Sequence, residues 1–323
     1  PLLAIILLVV SLLGSALTSR RLLTQAYMQR GLSSLAVGNA TDALTYATRA
    51  QRFEKTGDTL RLAVDAGGVK LQQIASDTSL PQQTAQVQFA ALASTTISLG
   101  KEATKMSPVD YRADVSLGRI YEFLSTLRIQ GAYENARTSY QAAATKNTTN
   151  PTIPLLLARL EASQGNRQLT DIHLTQALTL KPNYTDAILL AVQLNVANND
   201  IPNAIKAATA ATQTAPGVAP IWFQLGLLYY SINDTVQAIL PLEKALTIVP
   251  DYANAKYFLG LSYYAQKRTS DALRQFEDLV KSNPDNKEVA LILRNMKSGK
   301  PPFEGAVPPA NQPPEDRTSA PLP

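Results

Sequence analysis

The sequence predicts an all-α fold, a solenoid of stacked helical hairpins, and three observations support this prediction. Residues of similar size and polarity recur every 34 positions through the C-terminal half of the chain, which is the signature of repeated supersecondary units. Prolines recur at the same interval, at Pro216, Pro250 and Pro284. Hydrophobic residues make up 45% of the 323 residues, which is normal for a folded protein and excludes global disorder.

The unit that contains Trp222 shows the repeat most completely. Its characteristic residues are Trp222, Leu225, Gly226, Tyr229, Ala238, Ala245 and Pro250. The unit one period later carries Lys256, Leu259, Gly260, Tyr263, Ala272 and Pro284 at the matching positions, together with Phe276. The two preceding units supply Ile188, Ala191, Ala204, Ala208, Ala211 and Pro216, and Leu157, Ala158, Leu174, Ala177 and Pro182. Consecutive units in register predict consecutive similar hairpins.

The sizes of these residues have a physical reason. Gly226 and Ala238 let two antiparallel helices approach closely, whereas Tyr229 and Phe276 fill the space between neighbouring hairpins. Each proline ends a second helix, because the residue before a proline disfavours the helical conformation. The pattern resembles the tetratricopeptide repeat (TPR) family, whose signature is W-x2-L-G-x2-Y followed by Ala, Phe, Ala and Pro at fixed offsets. The resemblance covers about residues 24–298.

The segment upstream of the clear repeats, residues 20–109, is predicted to form degenerate TPR-like hairpins. One such unit spans residues 24–57 and carries Tyr27, Gly31, Ala43, Ala47 and Ala50. Two further helices, longer than those of the repeats, are predicted over Thr59–Ser76 and Pro81–Lys105.

The TPR repeats proper are predicted over residues 110–286. Their first unit has an enlarged loop near Ile129–Ala132, because its two halves stand about six residues further apart than in the motif. A capping helix follows over residues 287–299 and covers the last hydrophobic face. Residues 300–323 hold eight prolines and are predicted to form a flexible or polyproline-like tail.

The first nineteen residues are predicted to form an apolar, transmembrane-like helix. Residues 1–18 carry no charge, and a helix of that length spans about 27 Å, close to the ~30 Å hydrocarbon core of a bilayer. Three interpretations stay open: a membrane anchor, a secretory signal, and a helix buried in an assembly. Ser15-Ala16-Leu17 is a poor cleavage site. Type IV pilins, which bury such a helix, have a glutamate where this chain has Ile5.

The orientation of this helix is ambiguous. Arg20 and Arg21 directly follow the apolar run, so the positive-inside rule would place the rest of the chain in the cytoplasm. The absence of cysteine and the abundance of Thr, Asn, Gln and Ser favour the opposite side. We therefore expect an envelope protein, either membrane-anchored or extracellular.

The composition leaves little room for catalysis or nucleic-acid binding. The chain has no cysteine and one histidine, His173, so thiolate chemistry and multi-histidine metal sites are excluded. Gly67-Gly68 and Lys70 lack the spacing of a phosphate-binding loop. A net charge of +5 is too small for this length to indicate nucleic acid. We expect no enzymatic activity, no cofactor and no metal.

Four sequons of the form N-x-[ST] are candidate glycosylation sites. They are Asn39, Asn147, Asn183 and Asn233. All are predicted to lie in turns or at helix starts, where a glycan would be accessible.

The TPR resemblance also implies a binding site. In that family the first helix of each hairpin lines a concave groove, which binds a protein or peptide. The positions that face this groove correspond here to Arg159, Leu189, Gln193, Phe223, Leu227, Tyr230, Asn254, Tyr257, Leu261 and Tyr264. Most are apolar or tyrosine, which argues against the carboxylate clamp of chaperone-binding relatives. The alternatives are that some tyrosines complete the core, or that the groove is occupied by the chain's own tail or by the tail or N-terminus of a neighbouring subunit.

Three functions are consistent with these features. The first is a non-enzymatic protein–protein interaction scaffold of a bacterial cell envelope, anchored through residues 1–18. The second is a subunit of an extracellular filament in which solenoids stack head to tail. The third follows from the similarity of Trp222–Glu304 to the TPR region of O-antigen-ligase-like membrane proteins, and would make Leu2–Leu17 the last membrane span of a longer chain.

Overall fold

The chain folds into helical hairpins that group into two compact units. The computed structural model describes residues 2–310, 312, 314, 321 and 322, with side chains from Gly14 onwards. Unit 1 comprises Pro1–Gln176 and unit 2 comprises Ala177–Pro323. The described residues form fifteen helices and no strand. The predicted all-α hairpin architecture is therefore confirmed for this part of the chain.

Unit 1 contains four successive helical pairs. Their helices are α1 Leu2–Ala36, α2 Ala40–Phe53, α3 Gly57–Ser76, α4 Gln82–Met106, α5 Tyr111–Thr126, α6 Ala132–Lys146, α7 Thr152–Ser163 and α8 Arg167–Leu180, the last of which continues into unit 2. Helix α2 begins at Asn39, whose side chain accepts the Asp42 amide hydrogen, and α3 begins at a capping box made by Thr56 and Thr59. Such caps satisfy amide groups that have no partner in the first helical turn.

The predicted long helices are confirmed, since α3 and α4 closely match Thr59–Ser76 and Pro81–Lys105. The extra residues predicted between the two halves of the next unit are divided between α5 and the loop that follows it. Helix α5 continues to Thr126, and a loop of residues 127–131 follows before α6. The enlarged loop is thus present, but part of the extra length lengthens the helix instead.

Helix α1 continues without interruption from the apolar run into the first hairpin. Nε and Nη2 of Arg20 donate hydrogen bonds of 3.0 and 2.6 Å to the carbonyl oxygen of Phe53, at the end of α2. From Gly14 onwards, no helix is both long and apolar enough to cross a membrane. Most of the predicted membrane-spanning run, residues 1–18, lies outside the described side chains.

Unit 2 contains three hairpins and a closing helix. Its complete helices are α9 Thr185–Ala197, α10 Ile201–Thr214, α11 Ala219–Ser231, α12 Thr235–Ile248, α13 Ala253–Ala265, α14 Thr269–Ser282 and α15 Lys287–Lys297. The predicted prolines Pro216, Pro250 and Pro284 each follow the end of a second helix. Helix α15 lies where the capping helix is predicted and has Asn286 as its N-cap residue, whose side chain accepts the Val289 amide hydrogen.

The tail of residues 300–323 differs from its prediction. Its composition suggests flexibility, yet Pro302 is buried and Leu322 is only 2% exposed. Asn295 on α15 donates hydrogen bonds to the carbonyl oxygens of Pro302 and Glu304, at 3.0 and 2.8 Å. The prediction is wrong for these residues, because the helices of unit 2 provide both the apolar surface and the hydrogen-bond donors that the tail lacks.

Candidate functional site

The candidate site lies on the surface that α9, α11, α13 and α15 present in unit 2, which we call the first-helix face. Nine of the ten predicted groove residues lie on these helices. They are Leu189 and Gln193 on α9, Phe223, Leu227 and Tyr230 on α11, and Asn254, Tyr257, Leu261 and Tyr264 on α13. The tenth, Arg159, is an exposed residue of α7 in unit 1.

The aromatic residues of this face are held by a residue that the repeat pattern did not single out. Phe258 is 3% exposed and its ring lies 6.0 Å from that of Phe223 and 5.2 Å from that of Tyr230, between centroids. Phe223 also lies 4.9 Å from Tyr252. Phe223 and Tyr230 themselves are half-buried. The face is therefore a preformed aromatic surface supported from below by Phe258.

Tyr257 does not belong to this surface. Its side chain is completely buried, its hydroxyl donates a hydrogen bond to the carboxylate of Glu288 on α15, and its ring packs edge-on against Phe276 at 5.7 Å. The expectation that Tyr257 faces a partner is corrected, because the closing helix covers it. Leu261 is also buried, at 5% exposed, so it contributes to the core more than to the face.

Asn254 contacts the last described part of the tail through both ends of its side-chain amide. Its Nδ2 donates to the carbonyl oxygen of Leu322 at 3.1 Å, and its Oδ1 accepts from the Leu322 amide nitrogen at 3.3 Å. Nδ2 of Asn286 donates to the carbonyl oxygen of Pro321 at 3.1 Å. The leucine side chain is buried in the apolar cluster that contains α13, α14 and α15. We call these contacts of residues 321 and 322 the tail seat.

The tail also contacts the opposite ends of α13 and α15. The Tyr264 hydroxyl lies 3.4 Å from the carbonyl oxygen of Lys300, to which it donates, and Phe303 packs against the same apolar cluster as Leu322. The described tail residues therefore contact the first-helix face near both ends of its last two helices. This agrees with one alternative raised by the sequence, in which the chain's own tail occupies the groove.

Sequence reasoning identified Asn254 and Tyr264 but missed Asn286, Asn295 and Leu322. Asn286 precedes α15 as its N-cap residue, a position at which asparagine has an ordinary structural reason. Its second role, toward the tail, depends on a residue 35 positions away. No periodic signal connects the two.

The described residues offer no obvious chemistry at this face. No group of three or more His, Cys, Asp or Glu side chains among them is arranged to hold a metal ion. His173 lies on α8, half-buried, with Nδ1 3.0 Å from Oε1 of Gln176. Burial raises the pKa of Tyr252 at the edge of the face, so this phenol stays protonated and neutral well above neutral pH.

Three of the four sequons lie in turns or at a helix start, as the sequence predicted, and Asn147 lies at the end of a helix. Asn39 is the N-cap residue of α2, Asn147 the C-cap residue of α6, and Asn183 and Asn233 lie in turns. Nδ2 of Asn39 donates to the Asp42 carboxylate at 2.8 Å, so a glycan there would replace an existing hydrogen bond. Glycosylation itself stays a prediction.

Comparison with known proteins identifies the repeats. Two tetratricopeptide repeat models match the sequence, over residues 189–253 and 233–296. The crystal structure of yeast Tom70 is similar with a TM-score of 0.56 at 13% identity, over 85% of this chain and 54% of that chain. No curated protein matches the sequence.

Two further solved structures are similar at lower TM-scores. One is a chain of the APC/C hetero-tetramer Cut9–Hcn1, with a TM-score of 0.43 at 17% identity, over 84% of this chain and 55% of that chain. The other is YrrB, a TPR protein with an unusual peptide-binding site, with a TM-score of 0.42 at 16% identity, over 59% of this chain and 95% of that chain. This chain spans about half the length of the Tom70 chain and of the matched Cut9–Hcn1 chain. The predicted tetratricopeptide repeats are confirmed over residues 189–296, and the likeness to Tom70 shows the fold.

Proposed function

Because residues 189–296 are tetratricopeptide repeats, a type of repeat that generally serves in protein-interaction scaffolds, we propose that this protein is a non-enzymatic interaction scaffold. Its first-helix face in unit 2 binds an extended segment of a partner protein. The observation that carries the proposal is the pair of hydrogen bonds between Asn254 and the backbone of Leu322.

This pair of bonds suits the recognition of an extended chain. A residue whose backbone leaves water must have both its N–H donor and its C=O acceptor satisfied, or binding loses about 1–3 kcal/mol for each unmade bond. The amide of Asn254 supplies both partners at once, whatever side chain the bound residue carries. The bound leucine then adds apolar burial, since it is 2% exposed.

The aromatic residues beside the tail seat extend this surface. Phe223 and Tyr230 are held in position by Phe258, so little side-chain entropy is lost when a partner packs against them. Aromatic side chains in fixed positions are frequent anchors of protein interfaces. A partner segment longer than the two residues of the tail seat would therefore contact Phe223 and Tyr230.

A peptide array tests this proposal directly. The full chain carrying Leu322→Asp, which disfavours the bound tail, is applied to short peptides of varied sequence. We expect binding that is lost when Asn254→Asp is added, because the aspartate keeps the acceptor but cannot donate to the peptide carbonyl. The matched control is Leu240→Ala, which truncates a leucine that is 59% exposed on the second helix α12 and leaves binding unchanged. Absence of any Asn254-dependent peptide would contradict the proposal.

We further propose a location in a bacterial cell envelope, with residues 1–18 as a membrane anchor. The apolar run itself supports this, since eighteen uncharged residues precede Arg20 and Arg21. Flotation of the chain with liposomes, with and without residues 1–18, measures the contribution of that run. Equal flotation of both chains would contradict anchoring.

A second candidate function is a subunit of a surface filament, and the tail seat favours it. A tail that binds its own unit 2 can bind the same seat on a neighbouring copy, and such exchange links copies head to tail. Negative-stain microscopy of the chain with its apolar N-terminus intact would show regular fibres. Dispersed particles would leave the anchored scaffold as the better proposal.

The third candidate, a C-terminal module of an O-antigen-ligase-like protein, depends on the sequence similarity of Trp222–Glu304 alone. The complete gene tests it, because further membrane spans would have to precede Leu2.

A further inference from the structure

We propose that the tail seat selects a Pro-Leu segment, and that residues 321 and 322 are an internal copy of this ligand. The inference rests on the proposed function, and names the chemistry of the segment that the first-helix face binds. In this view a partner carrying the same dipeptide must displace the chain's own tail before it can bind.

The leucine position is selected by burial. Leu322 is one of the residues that complete the apolar cluster of α13, α14 and α15, together with Phe276, Leu279 and Ile292. A charged residue at this position would lose its hydration without an opposite charge, which is strongly unfavourable. An apolar side chain of similar size is therefore required here.

The proline position is selected by hydrogen bonding and by conformation. The seat offers the residue before leucine one donor, Nδ2 of Asn286, which bonds the Pro321 carbonyl oxygen at 3.1 Å. Proline has no amide hydrogen that would lose its solvent partner. Its ring also fixes φ near the value of an extended chain, so less conformational entropy is lost on binding.

The internal copy competes with any external segment. Asn295 and Tyr264 hold the tail at Lys300, Pro302 and Glu304, and the tail seat holds it again at residues 321 and 322. Because the tail belongs to the same chain, it competes at an effective concentration on the order of 1 mM. If the tail itself binds the seat with an intrinsic dissociation constant of about 0.1 mM, this competition weakens the apparent binding of an external segment roughly tenfold.

The experiment uses a fluorescent peptide with the sequence of residues 312–323 and measures anisotropy with the full chain. We expect the Leu322→Asp chain to bind this peptide about tenfold more tightly than the unmodified chain. A peptide that carries aspartate in place of its leucine should not bind. Equal binding by the two chains, or binding of the aspartate peptide, would overturn the proposal.

Two isosteric variants test the hydrogen bonds in the Leu322→Asp background. Asn286→Asp keeps the acceptor that caps Val289 at 3.0 Å but loses the donor to the peptide carbonyl, so weaker binding with unchanged helix content is expected. Asn254→Asp should weaken binding in the same way. Unchanged binding in both variants would show that the two side-chain amides do not contribute to recognition of the peptide.

The remaining outcomes separate this inference from the proposed function. If other peptides bind the Leu322→Asp chain through Asn254 and gain nothing from a Pro-Leu pair, only the selectivity is wrong. If no peptide binds, the proposed function fails as well. Sedimentation of the unmodified chain distinguishes the tail of a second copy, since self-association that Leu322→Asp abolishes would assign the seat to another copy and overturn the choice of an external partner.

Discussion

The hydroxyl of Tyr263 on α13 donates a hydrogen bond of 2.5 Å to Oε1 of Glu243 on α12, and so joins two neighbouring hairpins of unit 2. Burial of the phenol, the hydrogen bond and the negative charge of Glu243 raise the pKa of Tyr263 to about 12. The Arg268 guanidinium, 4.1 Å from the ring centroid, opposes this rise. This hydrogen bond is therefore lost when the Tyr263 hydroxyl ionises at alkaline pH.

Stability should fall between pH 10 and 12 because of this tyrosine. A group whose pKa is higher in the folded state stabilises the fold below its unfolded pKa, about 10 for tyrosine, and loses that contribution as the pH rises through the folded value, about 12 here. Burial raises the pKa of Tyr140 and Tyr252 too, so the measurement must be a difference. Urea unfolding of Tyr263→Phe should show a shallower loss over this window than the unmodified chain. Tyr264→Phe is the control, and a Tyr263→Phe profile parallel to the unmodified one would contradict the prediction.

Gly226 should tolerate no larger side chain. A Cβ atom there would lie 2.6 Å from Cγ of Leu242 and 2.8 Å from its Cδ2, and Leu242 is completely buried. We expect Gly226→Ala to destabilise the fold by about 1–2 kcal/mol, the cost of overpacking less the gain in helix propensity. The measurement is denaturant unfolding followed by circular dichroism.

Gly217 provides the matched control for Gly226. It lies in the turn before α11, where an added Cβ meets nothing within 4 Å, and its backbone is not left-handed. Gly217→Ala should change the free energy of unfolding by no more than about 0.5 kcal/mol. If the two variants had equal stability, the close approach of α11 and α12 would not be the reason for glycine at position 226.

The sequence predicted this helix packing because it repeats. Gly226 and Gly260 stand one period apart, and each meets a large residue of the following helix, Leu242 and Phe276. The same 34-residue correspondence gave a wrong prediction for Tyr257, which is equivalent to Phe223. Phe223 is half-buried whereas Tyr257 is fully buried, because α15 covers only the last hairpin. Periodicity describes the average repeat, so it does not predict which residues of the last repeat a closing helix covers.

The tail seat could not be predicted for a different reason. Asn254 and Leu322 are separated by 68 positions, and the sequence between them includes a proline-rich segment that by composition alone suggests disorder. The side-chain amides bond to backbone atoms, which leave no periodic pattern in the sequence that would connect Asn254 with Leu322. Asn254 was predicted to face a partner, while the identity of that partner required the structure.

Asn295 should anchor the first part of the tail. This residue is 6% exposed and its Nδ2 donates to two tail carbonyl oxygens, those of Pro302 and Glu304. Asn295→Ala removes both bonds, so the contacts between residues 300–310 and the helices of unit 2 should be weaker by about 1–3 kcal/mol. Hydrogen exchange of the amides of residues 303–307 should accelerate, while exchange in α13 stays unchanged. As a control, Asn283→Ala removes a bond at the end of α14 and should leave tail exchange as it is. Slow tail exchange in Asn295→Ala would show that apolar packing of Phe303 suffices.

Loss of a buried carboxylate in unit 1 should produce a larger change in the free energy of unfolding. Glu161 on α7 is completely buried. Its Oε2 accepts hydrogen bonds from the Tyr133 hydroxyl at 2.9 Å and from Nδ2 of Asn166 at 2.7 Å. Nε of Arg137 lies 3.4 Å from Oε1. Three groups, two from α6 and one from the loop before α8, therefore converge on one side chain.

Replacing Glu161 by alanine removes the shared partner of all three groups. Tyr133 and Asn166 lose their acceptor, and Arg137 loses its counter-charge, so we expect Glu161→Ala to cost about 3–4 kcal/mol. Glu161→Gln retains an acceptor oxygen and should cost less. Glu134→Ala, an exposed glutamate on α6, is the control, expected within about 0.5 kcal/mol of the unmodified chain. Equal unfolding free energies for Glu161→Ala and Glu134→Ala would mean that the desolvation of the Glu161 carboxylate cancels its hydrogen bonds, and the cluster would then contribute specificity of packing and no net stability.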